Sequence, residues 1–155
     1  MTNKVNIRLQ ALGIDLPKAV APVANYVPYV ITDKLVFVSG QIPFLDGEIQ
    51  YPGRLGENIS VIEAQKAARL CGINLIAQLK NACEGDLDRL VQVVKLNGFV
   101  NGTPSFTDQA MVINGTSDLM FEVFADKGRH ARAAIGCSAL PLGAAVEVDA
   151  IFEIS

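Results

Sequence analysis

Tryptophan is absent, histidine occurs once, and neither sign of charge dominates this chain of 155 residues. Each shortage removes a class of chemistry. With His130 the lone imidazole, and Cys71, Cys83 and Cys137 far apart with no Cys-x-x-Cys pair, no metal-ligand spacing exists. The same lone histidine, with no Gly-x-Ser-x-Gly elbow, argues against a serine or cysteine hydrolase triad. No P-loop and no dinucleotide glycine pattern occurs, so no cofactor is expected. Thirteen Lys and Arg stand against sixteen Asp and Glu, scattered rather than gathered on a stripe, which makes nucleic acid a poor partner. Long apolar runs are missing too. The charge-free stretches at 19–32 and 133–146 are broken by Pro, Asn or Gly and are too short for a bilayer, and Met1-Thr2-Asn3-Lys4 opens no signal peptide. A cytoplasmic protein with reduced thiols and no membrane partner is expected.

What the chain has is apolar mass. Half of it is hydrophobic and only 19% is charged, more apolar surface than a small single domain hides by itself. A closed homo-oligomer covering one sheet face is therefore expected. Residues 1–155 read as one domain, with 1–20 as a helical extension.

Val5, Leu9, Leu12 and Leu16 recur at helical spacing and predict a helix from Asn3 to Leu16, ended by Pro17. Ala21 to Tyr29, with two prolines, reads as extended coil. Val30 to Ser39 reads as a hairpin, or one strand bent at Thr32-Asp33-Lys34, and Asp46-Gly47 as a tight turn. Ser60-Val61-Ile62-Glu63 has the form of a capping box. It opens a helix whose stripe is Val61, Ala64, Ala68, Cys71, Leu75, Leu79 and Ala82, stopped by Gly85. Leu90 to Val100 is a Val-rich strand. A second helix follows over 107–125, with Thr107 as N-cap, Met111, Gly115, Leu119, Phe121 and Phe124 as buried candidates, and Gly128 as stop.

The last stretch, from His130 to Ser155, carries two β-type runs, Ala131 to Cys137 and Ala145 to Ile154. With Leu140-Pro141-Leu142-Gly143 as a turn they read as a hairpin, Arg132 on one arm and Glu147 on the other. The order β-β-α-β-α-β-β predicts an α+β fold, one mixed sheet with two helices on one face. From the residues alone, Arg132 fits a surface ion pair as well as a ligand anchor. Glu147 shares its face with Asp149 and Glu153, as a solvated strand would have it.

Four separated motifs resemble the RidA/YjgF family of reactive-intermediate deaminases, also labelled L-PSP ribonucleases or translation inhibitors. They are Pro28-Tyr29; Val38-Ser39-Gly40-Gln41-Ile42-Pro43; Val112-Ile113-Asn114-Gly115 through Phe121; and Ala131-Arg132 with Leu140-Pro141 and Val146-Glu147-Val148. The resemblance implies a chorismate-mutase-like fold and a homotrimer with three sites in the clefts between subunits. It also implies that Arg132 holds the carboxylate of a 2-imino acid while Glu147 positions the attacking water. Tyr29, Ser39, Gly40, Asn114 and Ala134 match cleft-lining positions. Ala134 stands where the family often has cysteine, and His130 where Pro or Ala is usual.

The residue types suit that chemistry. A guanidinium binds a carboxylate through two charge-assisted hydrogen bonds and keeps its charge. A carboxylate in an apolar cleft is held at a raised pKa, where it exchanges protons near neutrality. Three functions follow as expectations: a cofactor-free deaminase converting 2-imino and enamino acids to 2-keto acids and ammonia, a non-catalytic binder or sensor of small carboxylic or 2-keto acids in the same cleft, and a ribonuclease or translation inhibitor. The acidic balance and the missing histidine pair disfavour the last.

Overall fold

In the computed structural model, described over residues 3–19, 21 and 24–155, a five-stranded sheet carries two long helices on one face. Helix α1 runs Lys4–Ala11 and is shorter than the apolar spacing predicts, because Leu12 and Gly13 turn the chain and Gly13 sits at φ 66°. Its first turn is capped from a distance: Lys4 and Val5 N–H both donate to the Asp88 carboxylate at 2.9 Å. Of the expected coil at 21–29, Pro22 and Val23 lie outside the described residues, as do Met1, Thr2 and Val20 of the expected extension.

Strands β1 (Tyr29–Thr32) and β2 (Leu35–Gln41) form the expected hairpin, with Asp33 at φ 53° in its turn. A small hairpin follows, β3 (Phe44–Leu45) and β4 (Glu48–Ile49), turned by Asp46 and Gly47. Helix α2 (Val61–Ala82) begins at the capping box, Ser60 Oγ accepting from Glu63 N–H and the Glu63 carboxylate accepting from Ser60 N–H. Its stripe from Ala64 to Ala82 is buried as the spacing requires. Strand β5 (Leu90–Asn101) is followed by helix α3 (Gln109–Phe124), strand β6 (Ala131–Cys137) and strand β7 (Val146–Ile154).

Helix α3 departs from expectation in two ways. Asp108 rather than Thr107 occupies the cap position, and its side chain makes no cap bond. The buried stripe is Val112, Ile113, Thr116, Leu119, Met120, Val123 and Phe124, which leaves Met111 and Phe121 about half exposed, at 50% and 47%. Phe121 instead lies under the Arg129 guanidinium, 4.9 Å from its ring centre.

The sheet order is β1-β2-β7-β5-β6, and this overturns the C-terminal hairpin. β6 runs parallel to β5, while β7 runs antiparallel to both β5 and β2. The reason is connectivity: β5, α3 and β6 form one strand-helix-strand crossover, which places its two strands side by side and parallel. The chain then passes the end of β5 to reach β7, tied by Asn101 N–H to the Ala145 carbonyl at 2.9 Å and by Asn101 Nδ2 to the Ala144 carbonyl. Leu142 and Gly143 turn it at φ 57° and 70°.

Alternation along β7 sends Val146, Val148, Ala150, Phe152 and Ile154 under the helices, where all are buried. The other face is open and apolar in part. Val30, Phe37, Ile151, Lys95 and Ala131 stand level across all five strands, and Phe99 stands beside Ile135. Phe37 and Ile135 are 41% and 51% exposed there. Cys71 and Cys83 are buried free thiols and Cys137 is partly buried. No helix among the described residues is long and apolar enough to cross a membrane.

The two long helices meet with almost no space between them. A Cβ on Gly115 would fall 2.1 Å from the Gln65 carbonyl oxygen of α2, and one on Gly72 2.8 Å from a Leu119 methyl. Thr116 Oγ1 closes the seam by donating to the Ala68 carbonyl at 2.6 Å. Because backbone cannot yield as a side chain does, Gly115→Ala is expected to destabilise by about 1–3 kcal/mol. Thermal unfolding checks it: a Tm lowered by roughly 2–4 °C per kcal/mol is the expected result, and an unchanged Tm contradicts the close seam.

Candidate active site

The site residues expected from sequence fall into two groups that one chain does not bring together. Arg132 is level with Leu96 and Ala150, whereas Glu147 is level with Phe99. Two strand spacings sideways and three residues along put their Cα atoms roughly 14 Å apart. Leu96 and Ala150 are buried under the helices, so alternation sends Arg132 to the helix side and Glu147 to the other. A single small substrate cannot touch both within one subunit.

Glu147 belongs to a cavity of about 290 Å³ where β2 bulges away from regular pairing with β7. Ser39, Gly40, Gln41, Asn74 and Tyr26 line it, with Pro141 and Leu142 from the β6–β7 connection. The Glu147 carboxylate lies against the backbone of Gly40, where a Cβ would sit 2.1 Å from Oε1. Only glycine leaves that space. Burial, followed by the nearby Asp149 carboxylate, pushes the Glu147 carboxyl above the ordinary range. Asp149 is itself held by Asn97 Nδ2 at 2.7 Å. Ser39 Oγ donates to the Val27 carbonyl at 2.8 Å, pinning the preceding loop against β2. Asn74 Nδ2 donates to the Ile42 and Phe44 carbonyls and so fixes the other wall.

The second group lies on α3 and β6. Arg132 Nη1 donates to Asn114 Oδ1 at 2.8 Å and to Ser117 Oγ at 3.1 Å. No carboxylate among the described residues pairs with this half-buried guanidinium. Ala134 lies two residues along the same face, opposite Gly98, where Ile113 of α3 presses on the sheet. Tyr29 joins neither group: it pairs with Val38 and packs on the core.

Sequence reasoning gave no site role to Asn74, Ser117 or His130. Asn74 was legible, since it lies one helical turn from Cys71 on the buried face of α2 and a polar side chain there needs a partner. Ser117 and His130 were not, because nothing in their spacing places α3 beside the start of β6.

Comparison with known proteins agrees with this architecture. Residues 6–154 match the family model described as YjgF/chorismate mutase-like, putative endoribonuclease. Protein TCP17 of Trypanosoma cruzi is 50% identical over 155 residues, covering 99% of this chain and 96% of its own length. The crystal structure of Atu1372 from Agrobacterium tumefaciens is 48% identical with a TM-score of 0.93, covering 99% of this chain and 94% of that one. Escherichia coli TdcF, solved with bound serine, is 26% identical with a TM-score of 0.63, covering 89% and 94%. The four motifs, the α+β fold and these matches agree, and the chain belongs to the YjgF/chorismate mutase-like family, the RidA/YjgF proteins.

Proposed function

We propose that this protein hydrolyses reactive 2-imino and enamino acids to 2-keto acids and ammonia, as a cytosolic homotrimer whose sites close between neighbouring copies. The observation that carries the reading is the split itself. A guanidinium with no carboxylate partner among the described residues sits on the edge strand, and a half-buried carboxylate lines a cavity two strands away. Both are complete as half-sites, and a second copy supplies what each lacks. The apolar row on the open sheet face gives the copies a reason to associate.

The chemistry needs little else. An imine carbon is already electrophilic, so an anchored substrate and a directed water suffice. Arg132 of one copy holds the substrate carboxylate. Glu147 of the next takes a proton from water as the oxygen adds to the carbon of the protonated imine, giving a neutral carbinolamine. The protonated Glu147 passes that proton to the amino nitrogen, the carboxylate so regenerated takes the carbinolamine hydroxyl proton as the C–N bond breaks, and ammonia leaves with the 2-keto acid. An enamino acid first takes a proton at carbon, for which a carboxyl with a raised pKa is suited. The serine bound to TdcF supports a place for a small amino-acid-like carboxylate in this fold.

The assay couples the protein to a threonine dehydratase, traps free imine with semicarbazide, and follows 2-ketobutyrate. Losing two charge-assisted hydrogen bonds costs about 3 kcal/mol or more, so Arg132→Ala is expected to lower kcat/KM at least roughly a hundredfold. Glu147→Gln is expected to abolish turnover. Refolding the two variants together is expected to restore about a quarter of the parental sites, because a site between copies can draw each intact group from a different chain. No recovery on mixing would refute the split site. Tight 2-ketobutyrate binding without turnover would leave a carboxylate-binding protein.

Two further outcomes follow from Glu147. Its raised pKa means the fold favours the protonated form, so charging it costs stability at neutral pH, and that cost vanishes as pH falls below the ordinary carboxylate range. Glu147→Gln is therefore expected to melt above the parent near pH 7, the gap closing by about pH 4. A gap independent of pH contradicts the shift. Gly40→Ala is expected to fold normally, since Gly40 has no positive φ and the colliding group is the end of a flexible side chain. Turnover should fall roughly a hundredfold as the carboxylate is displaced by an ångström or more, and parental activity would show that its position is unimportant.

A further inference from the structure

The hydrogen bonds behind Arg132 run in one direction. The Gly128 carbonyl can only accept, so His130 Nδ1, at 2.6 Å, carries the ring proton. In the neutral ring with its proton on Nδ1, Nε2 can only accept, and Ser117 Oγ, 2.9 Å away, is then its donor. The lone pairs of Ser117 are left facing Arg132 Nη1 at 3.1 Å, while Asn114 Oδ1 takes the other Nη1 hydrogen at 2.8 Å. The far end of the relay is fixed in the core. Gly128 is buried, and a Cβ there would fall 2.1 Å from the Met120 carbonyl oxygen.

The consequence is geometric. With both Nη1 hydrogens spent on α3, the guanidinium has its Nε and Nη2 hydrogens left, and no described residue bonds to that edge. Two parallel N–H groups on one edge match the two oxygens of a planar carboxylate. A guanidinium free to rotate would have to be ordered on binding, and the relay orders it beforehand.

We propose that Ser117 and His130 are positioning residues that hold Arg132 with its Nε/Nη2 edge turned outward to receive a substrate carboxylate side-on. Neither touches the reacting carbon. The proposal rests on the reading of Arg132 as the carboxylate anchor and adds to it which residues aim that anchor and with which edge it binds.

The experiment compares Ser117→Ala, Ser117→Thr, His130→Ala and His130→Gln with the parent, as full chains in their assembled state. 2-Ketobutyrate affinity is measured by calorimetry, and KM and kcat in the dehydratase-coupled assay. The two alanine variants should weaken 2-ketobutyrate binding and raise KM by about tenfold each, with kcat within about twofold. Ser117→Thr keeps the hydroxyl and His130→Gln keeps an acceptor near the Nε2 position, so both should recover most of the affinity. A purely structural role would lower Tm without this split or this rescue. Unchanged affinity and KM in Ser117→Ala, alongside their loss in Arg132→Ala, overturns the proposal and leaves the carboxylate anchor standing. 2-Ketobutyrate binding that obeys the expected pattern without turnover sinks the deaminase reading and leaves this one. A parent that does not bind 2-ketobutyrate, or an Arg132→Ala variant that binds it normally, overturns both.

Discussion

The parallel pairing of β5 with β6 decides where chemistry can occur in this fold. A strand, a helix and a second strand joined by short turns place their strands adjacent and parallel, and β7 is then left to add on the far side of β5. β5 is therefore interposed between the strand that bears Arg132 and the strand that bears Glu147. Neither side chain can be re-aimed at the other without a register slip that would also turn Val148, Ala150 and Phe152 out of the core. The cost of such a slip, several fully buried side chains at about 1.5–3 kcal/mol each, exceeds anything a local contact between the two could return.

That constraint converts a surface liability into a use. An open sheet face carrying Phe37, Ile135 and Ile151 is one that an isolated domain has difficulty keeping in water. In the proposed trimer the same face is the means by which half-sites meet, so association and activity depend on one surface. The acid and the guanidinium also remain apart in a lone chain, where an ion pair between them would satisfy both and leave nothing for a ligand. Among the described residues no carboxylate compensates Arg132, and Glu147 stays under desolvation that favours its protonated form.

Local signals in the sequence carried the elements well and their neighbours poorly. Ser60 and Glu63 announce α2 because the cap is a contact between residues three apart. Asp46 and Gly47 announce a turn because backbone conformation is a property of the turn itself. The C-terminal hairpin misled for the same reason in reverse: two strands separated by a Pro-Leu-Gly turn satisfy every local rule, and only the competing claim of β5, made through α3, forbids the pairing. Met111 and Phe121 looked buried because apolar side chains stand on both sides of α3, interspersed on the outer side with Asn114 and Asp118, so counting apolar positions did not by itself choose the side that lies on the sheet. β-type runs placed Arg132, Glu147 and Ser39 on strands, while Gly40, read as the point where the chain leaves the strand, lies inside β2; the motifs that resemble the family added the site positions. They were silent on Ser117 and His130, whose meeting requires the end of α3 to fold back beside β6.

Gly40 and Glu147 show how a fold of small parts sets a functional carboxylate. The carboxylate could be raised in pKa by burial in any apolar pocket, but burial alone does not fix where its oxygens lie. Here a glycine at the β2 bulge opens a space one methyl group wide, and the carboxylate fills it, its oxygen where a Cβ would be. The missing Cβ thus fixes the position, while burial in the cavity raises the pKa. Asp149, held by Asn97 on the neighbouring strand, adds a like charge without sharing a hydrogen bond, raising the pKa further and leaving both Glu147 oxygens without a described partner. An acid so placed suits the proton exchange with water and substrate nitrogen that the proposed reaction requires, and in the proposed trimer the guanidinium of another copy would bring the substrate to it.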